Sequence, residues 1–384
     1  MINRMILNQT SYFGPGSVSK IVEEIKGRGF RKALVVTDGD LIKFHVADKV
    51  TDLLDEAGLA YEIFSDVQAN PTVGMIKAGV EAFKKAGADY LIAIGGGSPT
   101  DTSKAIGIII NNPGFADVVS LEGVADTKFP CVPIIAIPTT AGTAAEVTIN
   151  YVITDEARKR KFVCVDPHDI PMVAIIDSEM MASMPKGLTA ATGMDALTHA
   201  IEGYITKGAW ELTDMLHLKA IEVISRSLRG AVENTEAGRE GMALGQYIAG
   251  MGFSNVGLGI VHSMAHSLGG FYNTPHGIAN AVLLPYVMEY NAPATGDKYR
   301  RIARAMGVAD TDGMSVEEAR HAAVAAVRKL SSDIGIPQRI RELKDVQESD
   351  LPALAEMSFA DVCTGGNPRE TSVEDILGIY RNAF

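Results

Sequence analysis

Cysteine is scarce in this chain. Cys131, Cys164 and Cys363 are its three cysteines, far apart and odd in number. No disulfide framework follows from such a set, and the scarcity suits a reducing cytoplasm. Tryptophan occurs once, at Trp210. No apolar run approaches the about 18 residues that a membrane-spanning helix needs. The opening Met1-Ile2-Asn3-Arg4-Met5 lacks the apolar stretch and small-residue cleavage site of a secretion signal. Positive charge is in deficit: 35 Lys and Arg against 47 Asp and Glu leave a net charge of −12. That balance disfavours nucleic acid and anionic membranes as partners and leaves small molecules. Internal repeats and low-complexity segments are missing as well.

Apolar residues are plentiful. A chain of 384 residues that is 47% hydrophobic is too long for one ordinary core and suggests two domains. Strand patterns fill the first half. Lys32–Asp38, Tyr61–Phe64, Asp89–Ile94, Val132–Ile137 and Val173–Asp177 read as strands. Helices alternate with them, over about 46–56 and after the cap Asn70-Pro71-Thr72. Beyond Pro185 strands disappear. Helical patterns recur there over 191–204, 212–228, 242–251, 299–306 and 316–334. We therefore expect an α/β, Rossmann-like domain over 1–184 and an all-α domain over 185–384.

Three places in the first half suit a nucleotide. Asp89–Ile94 runs straight into Gly95-Gly96-Gly97-Ser98 and a helix beginning near Thr100. Without Cβ atoms, backbone N–H groups can approach a pyrophosphate, and the helix N-terminus adds positive potential. The G-x-G-x-x-G fingerprint is absent, so a tight turn without ligand stays the alternative. Pro138-Thr139-Thr140-Ala141-Gly142-Thr143 offers hydroxyls for ribose and phosphate, or simply a helix cap. Asp38, at a strand's C-terminal end, can accept from a ribose and repel a 2′-phosphate, or can cap a helix. Phe13-Gly14-Pro15-Gly16-Ser17 reads as a turn opening a helix. From Asn150 to Val165 the pattern is a hairpin whose tip, 155–160, is a solvated charged turn.

The second half carries the histidines. His262, His266 and His276 fall within nineteen residues, 259–277. His262 and His266 are at i, i+4 and share a helix face. His276 follows glycines and a proline, where a loop can swing it back. Upstream, Asp195 and His199 form a second i, i+4 pair. Asp195, His199, His262 and His276 together read as four ligands of one divalent metal, with His266 beside them and not bound. Core histidines and a hydrogen-bonded Asp–His pair are the bland alternative. Imidazole with carboxylate accommodates Fe²⁺, Zn²⁺, Ni²⁺ or Mn²⁺. A cation there and a nucleotide in the first half suit hydride transfer to a carbonyl, with the cation acting as a Lewis acid. His266, one turn from His262, is the candidate proton relay. Met242, Met251 and Met264 read as core. His45, His168, His217 and His321 stand outside this set and carry no assigned chemistry.

The pattern G-x-x-H-x-x-x-H-x-x-G…P-H-G, with D-x-x-x-H upstream, resembles the iron-dependent (group III) alcohol dehydrogenase family. Gly95–Asp101, Pro138–Thr148 and the tail Cys363-Thr364-Gly365-Gly366-Asn367-Pro368-Arg369 extend the likeness over nearly the whole chain. It implies a dehydroquinate synthase-like scaffold, a homodimer, NAD rather than NADP, and Fe²⁺ with Zn²⁺ as a substitute. It also implies nucleotide contacts from Asp38, Asn70, Gly96, Gly97, Ser98, Asp101, Thr139, Thr140, Thr143, Asn150 and Lys161. The implied substrate pocket contains Asn150, Phe253 and Cys363. The runs 150–155 and 161–171 draw the likeness toward members that interconvert L-lactaldehyde and L-1,2-propanediol in fucose and rhamnose breakdown. Members acting on 1,3-propanediol, ethanol or butanol are the alternative. A dehydroquinate synthase-like lyase needs a Lys and Arg cluster that the metal motifs do not show. A non-catalytic binding protein would have no need of both ligand sets. One departure stands out: Ser267 follows His266 where the family typically has proline, an exchange expected to relax the backbone there.

Overall fold

A computed structural model describes residues 2–158 and 160–384. Lys159, in the tip of the expected hairpin, lies outside the described residues. The chain divides into two compact units, Met5–Met184 and Pro185–Phe384, the latter joined by the residues preceding Met5.

The first unit holds strands β1 (Thr10–Phe13), β2 (Lys32–Asp38), β3 (Ala60–Val67), β4 (Tyr90–Gly95), β5 (Ile134–Pro138), β6 (Asn150–Asp155), β7 (Arg160–Val165) and β8 (Val173–Ile176). Its helices are α1 (Ile21–Arg28), α2 (Gly39–Lys43), α3 (Asp48–Glu56), α4 (Val73–Ala86) and α5 (Gly97–Asn111). Six strands form one sheet in the order β1-β8-β5-β4-β2-β3. Every pairing in it is parallel. A parallel sheet is covered on both faces, so its central strands are apolar throughout. Leu34, Leu91 and Ile134 face α4 and α5, packing on Ile76, Phe83 and Ile106. Their neighbours Val35, Ile92 and Ile135 point the other way, onto Ile25, Val50 and Leu54 of α1 and α3. This is the Rossmann-like half.

The second unit is helical: α6 (Lys186–Ile205), α7 (Glu211–Val232), α8 (Glu236–Val256), α9 (Ile260–Tyr272), α10 (His276–Asn291), α11 (Lys298–Ala305), α12 (Val316–Asp333), α13 (Leu351–Phe359) and α14 (Val373–Ala383). Helix α6 is buried almost all round from Gly193 to Ile205. Asp195, His199 and Glu202 on it must therefore find partners inside the protein. Among the described residues no helix is long and apolar enough to cross a membrane.

Several local expectations change. Helix α5 starts at Gly97, not near Thr100, because Gly95 at φ 152° turns the chain and Gly96 caps the helix. Strand β1 precedes the Phe13–Ser17 turn; its short alternating pattern is too weak to read alone. The loop 273–275 does swing His276 back, and His276 is itself the first residue of α10. Gly277 permits this, since a Cβ there would come 2.4 Å from the Ala191 carbonyl oxygen of α6. Asp155 is buried rather than solvated, accepting from the Ala157 and Arg158 N–H groups to close the hairpin. Met251 is only part-buried, whereas Met242 and Met264 are core. The backbone at Ser267 is not relaxed. Helix α9 runs unbroken through it, and its hydroxyl donates to Ser263 O (3.2 Å) and accepts from Ser358 Oγ (2.9 Å).

Candidate active site

In the first unit, Gly96, Gly97 and Ser98 are part-exposed at the start of α5, where no side chain caps the helix. The first N–H groups of α5 thus keep the potential to bind an anion. Thr140 and Thr143 pack against Gly96 and Gly97, and Thr139 N–H donates to Gly95 O (2.9 Å). The structure brings these residues into one cluster. Asp38 is the N-cap of α2, accepting from Leu41 N–H at 2.9 Å. Asp101 Oδ2 accepts from Val152 N–H (3.1 Å), tying α5 to β6. Burial pushes Asp101 up to about 7, against the pull of Lys104 and Lys161. Lys161 Nζ donates to Asn70 Oδ1 (2.8 Å), and burial pushes the amine down to about 8. The Asn150 carbonyl accepts from Lys104 Nζ at 2.8 Å.

Lys104 is missing from the expectations above. It is fully buried, donates also to Thr148 O (2.6 Å), and faces Asp169 at 3.9 Å. Burial drives the lysine down, and Asp169 opposes it. A lone lysine immediately before the apolar run Ala105–Ile110 was its one signal.

In the second unit, one ligand atom each from Asp195, His262 and His276 lies within 4.8 Å of the others. Asp195 Oδ1 is 3.5 Å from His276 Nε2 and 3.9 Å from His262 Nε2. His199 lies beside this trio. Its ring stacks on His262, centroids 4.5 Å apart, and on Phe253 at 4.2 Å. Helix α6 supplies the carboxylate, α9 and α10 the imidazoles.

Glu202 also went unforeseen. Seven residues after Asp195, it lies on the same face of α6. Its Oε2 is 2.6 Å from His262 Nδ1, and its Oε1 accepts from Val261 N–H at 2.7 Å. Burial raises Glu202 to about 8, and backbone N–H groups at the start of α9 oppose the rise. Burial lowers His262 well below the usual imidazole range. With Nδ1 turned to Glu202, the His262 Nε2 lone pair faces Asp195. The carboxylate also raises the basicity of that nitrogen.

His266 stands apart from the trio, though its ring stacks on His276 at 5.3 Å. Its Nδ1 lies 2.9 Å from Asp361 Oδ2, and Asp361 Oδ1 accepts from Cys363 N–H at 2.8 Å. Burial would raise Asp361, but the His266 charge and hydrogen bond outweigh it and hold the carboxyl below its usual range. Burial, then Asp361, pushes the Cys363 thiol up, so it stays neutral.

The trio fits a divalent cation. Two imidazoles and a carboxylate are an ordinary donor set for Fe²⁺ or Zn²⁺. Asp195 and His262 are buried, His276 is part-exposed, and Nδ1 of His262 has its partner in Glu202. A buried amide nitrogen, Asn280 Nδ2, already stands among the three ligand atoms.

Comparison with known proteins agrees with this chemistry. Residues 8–178 match "Iron-containing alcohol dehydrogenase", and residues 189–384 match "Fe-containing alcohol dehydrogenase family, C-terminal". The chain is 64% identical over 384 residues to lactaldehyde reductase of Escherichia coli (strain K12), covering 100% of both. It is 45% identical to 1,3-propanediol dehydrogenase of Citrobacter freundii, covering 99% of this chain and 98% of that one. A solved 1,3-propanediol oxidoreductase superposes with TM-score 0.96 at 43% identity, covering 100% of both chains. The chain belongs to the iron-containing alcohol dehydrogenase family and is an oxidoreductase of the alcohol dehydrogenase type.

Proposed function

We propose that this protein interconverts L-lactaldehyde and L-1,2-propanediol with NAD(H), using Fe²⁺ at the α6–α9–α10 site, where Zn²⁺ can substitute. Its full-length likeness to the E. coli lactaldehyde reductase carries the substrate assignment. When bound, the cation supplies Lewis-acid polarisation of a carbonyl and the nicotinamide supplies the hydride.

The chain's own residues do the rest. Asp195, His199, His262 and His276 hold the cation, and Glu202 fixes His262. Gly96, Gly97 and Ser98 take the pyrophosphate at α5. Thr139, Thr140, Thr143, Asn70, Asp101, Asn150 and Lys161 complete the nucleotide contacts. Asp38 keeps one carboxylate oxygen beyond its cap for the ribose. His266, held by Asp361, relays the proton between the alkoxide oxygen and solvent. Phe253 gives the pocket an apolar wall, and Cys363 lends a neutral thiol. The setting is that of the family resemblance, a cytoplasmic homodimer in fucose or rhamnose breakdown.

The test is kcat/KM of the Fe²⁺-loaded protein, kept anaerobic, for L-lactaldehyde, 3-hydroxypropanal, acetaldehyde and butanal. The highest value is expected with L-lactaldehyde. Preference for 3-hydroxypropanal would move the assignment to 1,3-propanediol chemistry.

A further inference from the structure

Asn280 lies inside the histidine trio rather than beside it. Its Nδ2 is 2.6 Å from Asp195 Oδ1, 3.1 Å from His276 Nε2 and 3.2 Å from His262 Nε2. These are the three residues whose ligand atoms converge. The side chain is fully buried, and its Oδ1 has no hydrogen-bond partner among the described residues. Leaving a buried carbonyl unsatisfied is destabilising. The alternative is worse: turning the amide over would press Oδ1 against the Asp195 carboxylate, two acceptors in contact. Asp195 thus decides which way the amide points.

That orientation has a consequence for the histidines. One N–H of the amide goes to Asp195 Oδ1, and the other is left for His276 Nε2, the nearer of the two ring nitrogens at 3.1 Å, which must present a lone pair and so carries the neutral ring's proton on Nδ1. For His262, Glu202 in its ionised form accepts from Nδ1–H and sets the same tautomer. Lone pairs on Nε2, aimed at one point beside a carboxylate, are the state a cation needs. Position 280 is one turn after 276 on α10, so His276 and Asn280 share a face.

We propose that Asn280 is a positioning residue of the cation site. In the metal-free chain its amide N–H groups hold Asp195, His262 and His276 apart, in ligand orientation and ligand tautomer. The amide nitrogen stands in for the positive charge of the ion, which displaces it. Without that donor, His276 takes its proton on Nε2 and donates to Asp195, already 3.5 Å away. The closed pair must then break before an ion can bind. This role rests on the cation site of the proposed function.

The experiment uses the full chain after anaerobic removal of metal. Nitrogen-15 NMR of the histidine rings reads the tautomers, and competition with a chelator reads Zn²⁺ affinity. In the unaltered chain His262 and His276 are expected as Nδ1–H tautomers. In N280L, of similar shape, His276 should change to Nε2–H, and Zn²⁺ affinity should fall about 10–100-fold. Circular dichroism and NADH binding report whether the variant is folded. Zn²⁺ affinity in folded N280L within about twofold of the parent would overturn the proposal. So would an Nε2–H tautomer at His276 in the unaltered chain, a reading that needs no variant. If the unaltered chain binds no Zn²⁺, the cation site itself fails, and the proposed function with it.

Discussion

Glu202 Oε2 and His262 Nδ1 lie 2.6 Å apart with both side chains only 2% exposed. The pair links the N-terminus of α9 to the last turn of α6 and aims the other ring nitrogen at Asp195. A buried carboxylate behind a ligand histidine is a positioning device, and disturbing such partners typically costs about 10–100-fold in metal affinity or activity. For Glu202→Gln we expect a loss in that range, read as metal content after dialysis and as affinity by chelator competition. Unchanged affinity would remove Glu202 from the site.

His262→Ala should lose metal and turnover together, because no other group can replace the missing Nε2 among the three clustered atoms. Normal metal content in that variant would refute His262 as a ligand.

His266 is expected to matter in a different way. His266→Ala should retain metal, since its nitrogens stand outside the trio, but should lower kcat and change its pH profile. The Asp361 contact at 2.9 Å orients the ring for that role. Unchanged turnover across pH would rule out a proton relay through His266.

His217, assigned no chemistry, bears on stability. It is fully buried where Gly203 and Gly252 leave room for its ring, and neither ring nitrogen has a hydrogen-bond partner among the described residues. Burial, then the Lys298 charge, pushes it down to about 3 from 6.5. The unfolded chain takes up a proton near pH 6.5, whereas the folded chain resists until about 3. The stability tied to neutral His217 is therefore present above pH 6.5 and is lost as pH falls toward 3, at up to about 1.4 kcal/mol per pH unit. His217→Leu should flatten the acid side of a urea-midpoint-versus-pH curve. A curve of unchanged slope would contradict this.

What was legible in the sequence follows from distance along the chain. The strand, the glycine loop and the helix at 89–111 are contiguous, so their order alone marks a candidate anion site. The i, i+4 histidines likewise need only a helix. Glu202 and Asn280 were not legible because their meaning lies in partners 60 and 85 positions away. The loop before His276 was legible and does swing it back, but that His276 itself heads a helix was not, because a proline and glycines mark a turn without saying where the next helix begins. Lys104 hides for another reason: a lysine in a helix is ordinarily solvent-facing. Only packing reveals one enclosed with Asp169.

The most direct test of the central claim is to strip metal from the full chain, add back Fe²⁺ or Zn²⁺ anaerobically, and follow NADH oxidation with L-lactaldehyde. No turnover in the stripped protein and turnover restored by Fe²⁺ is the predicted result. Turnover without metal, or none after Fe²⁺ while NADH still binds, would contradict it.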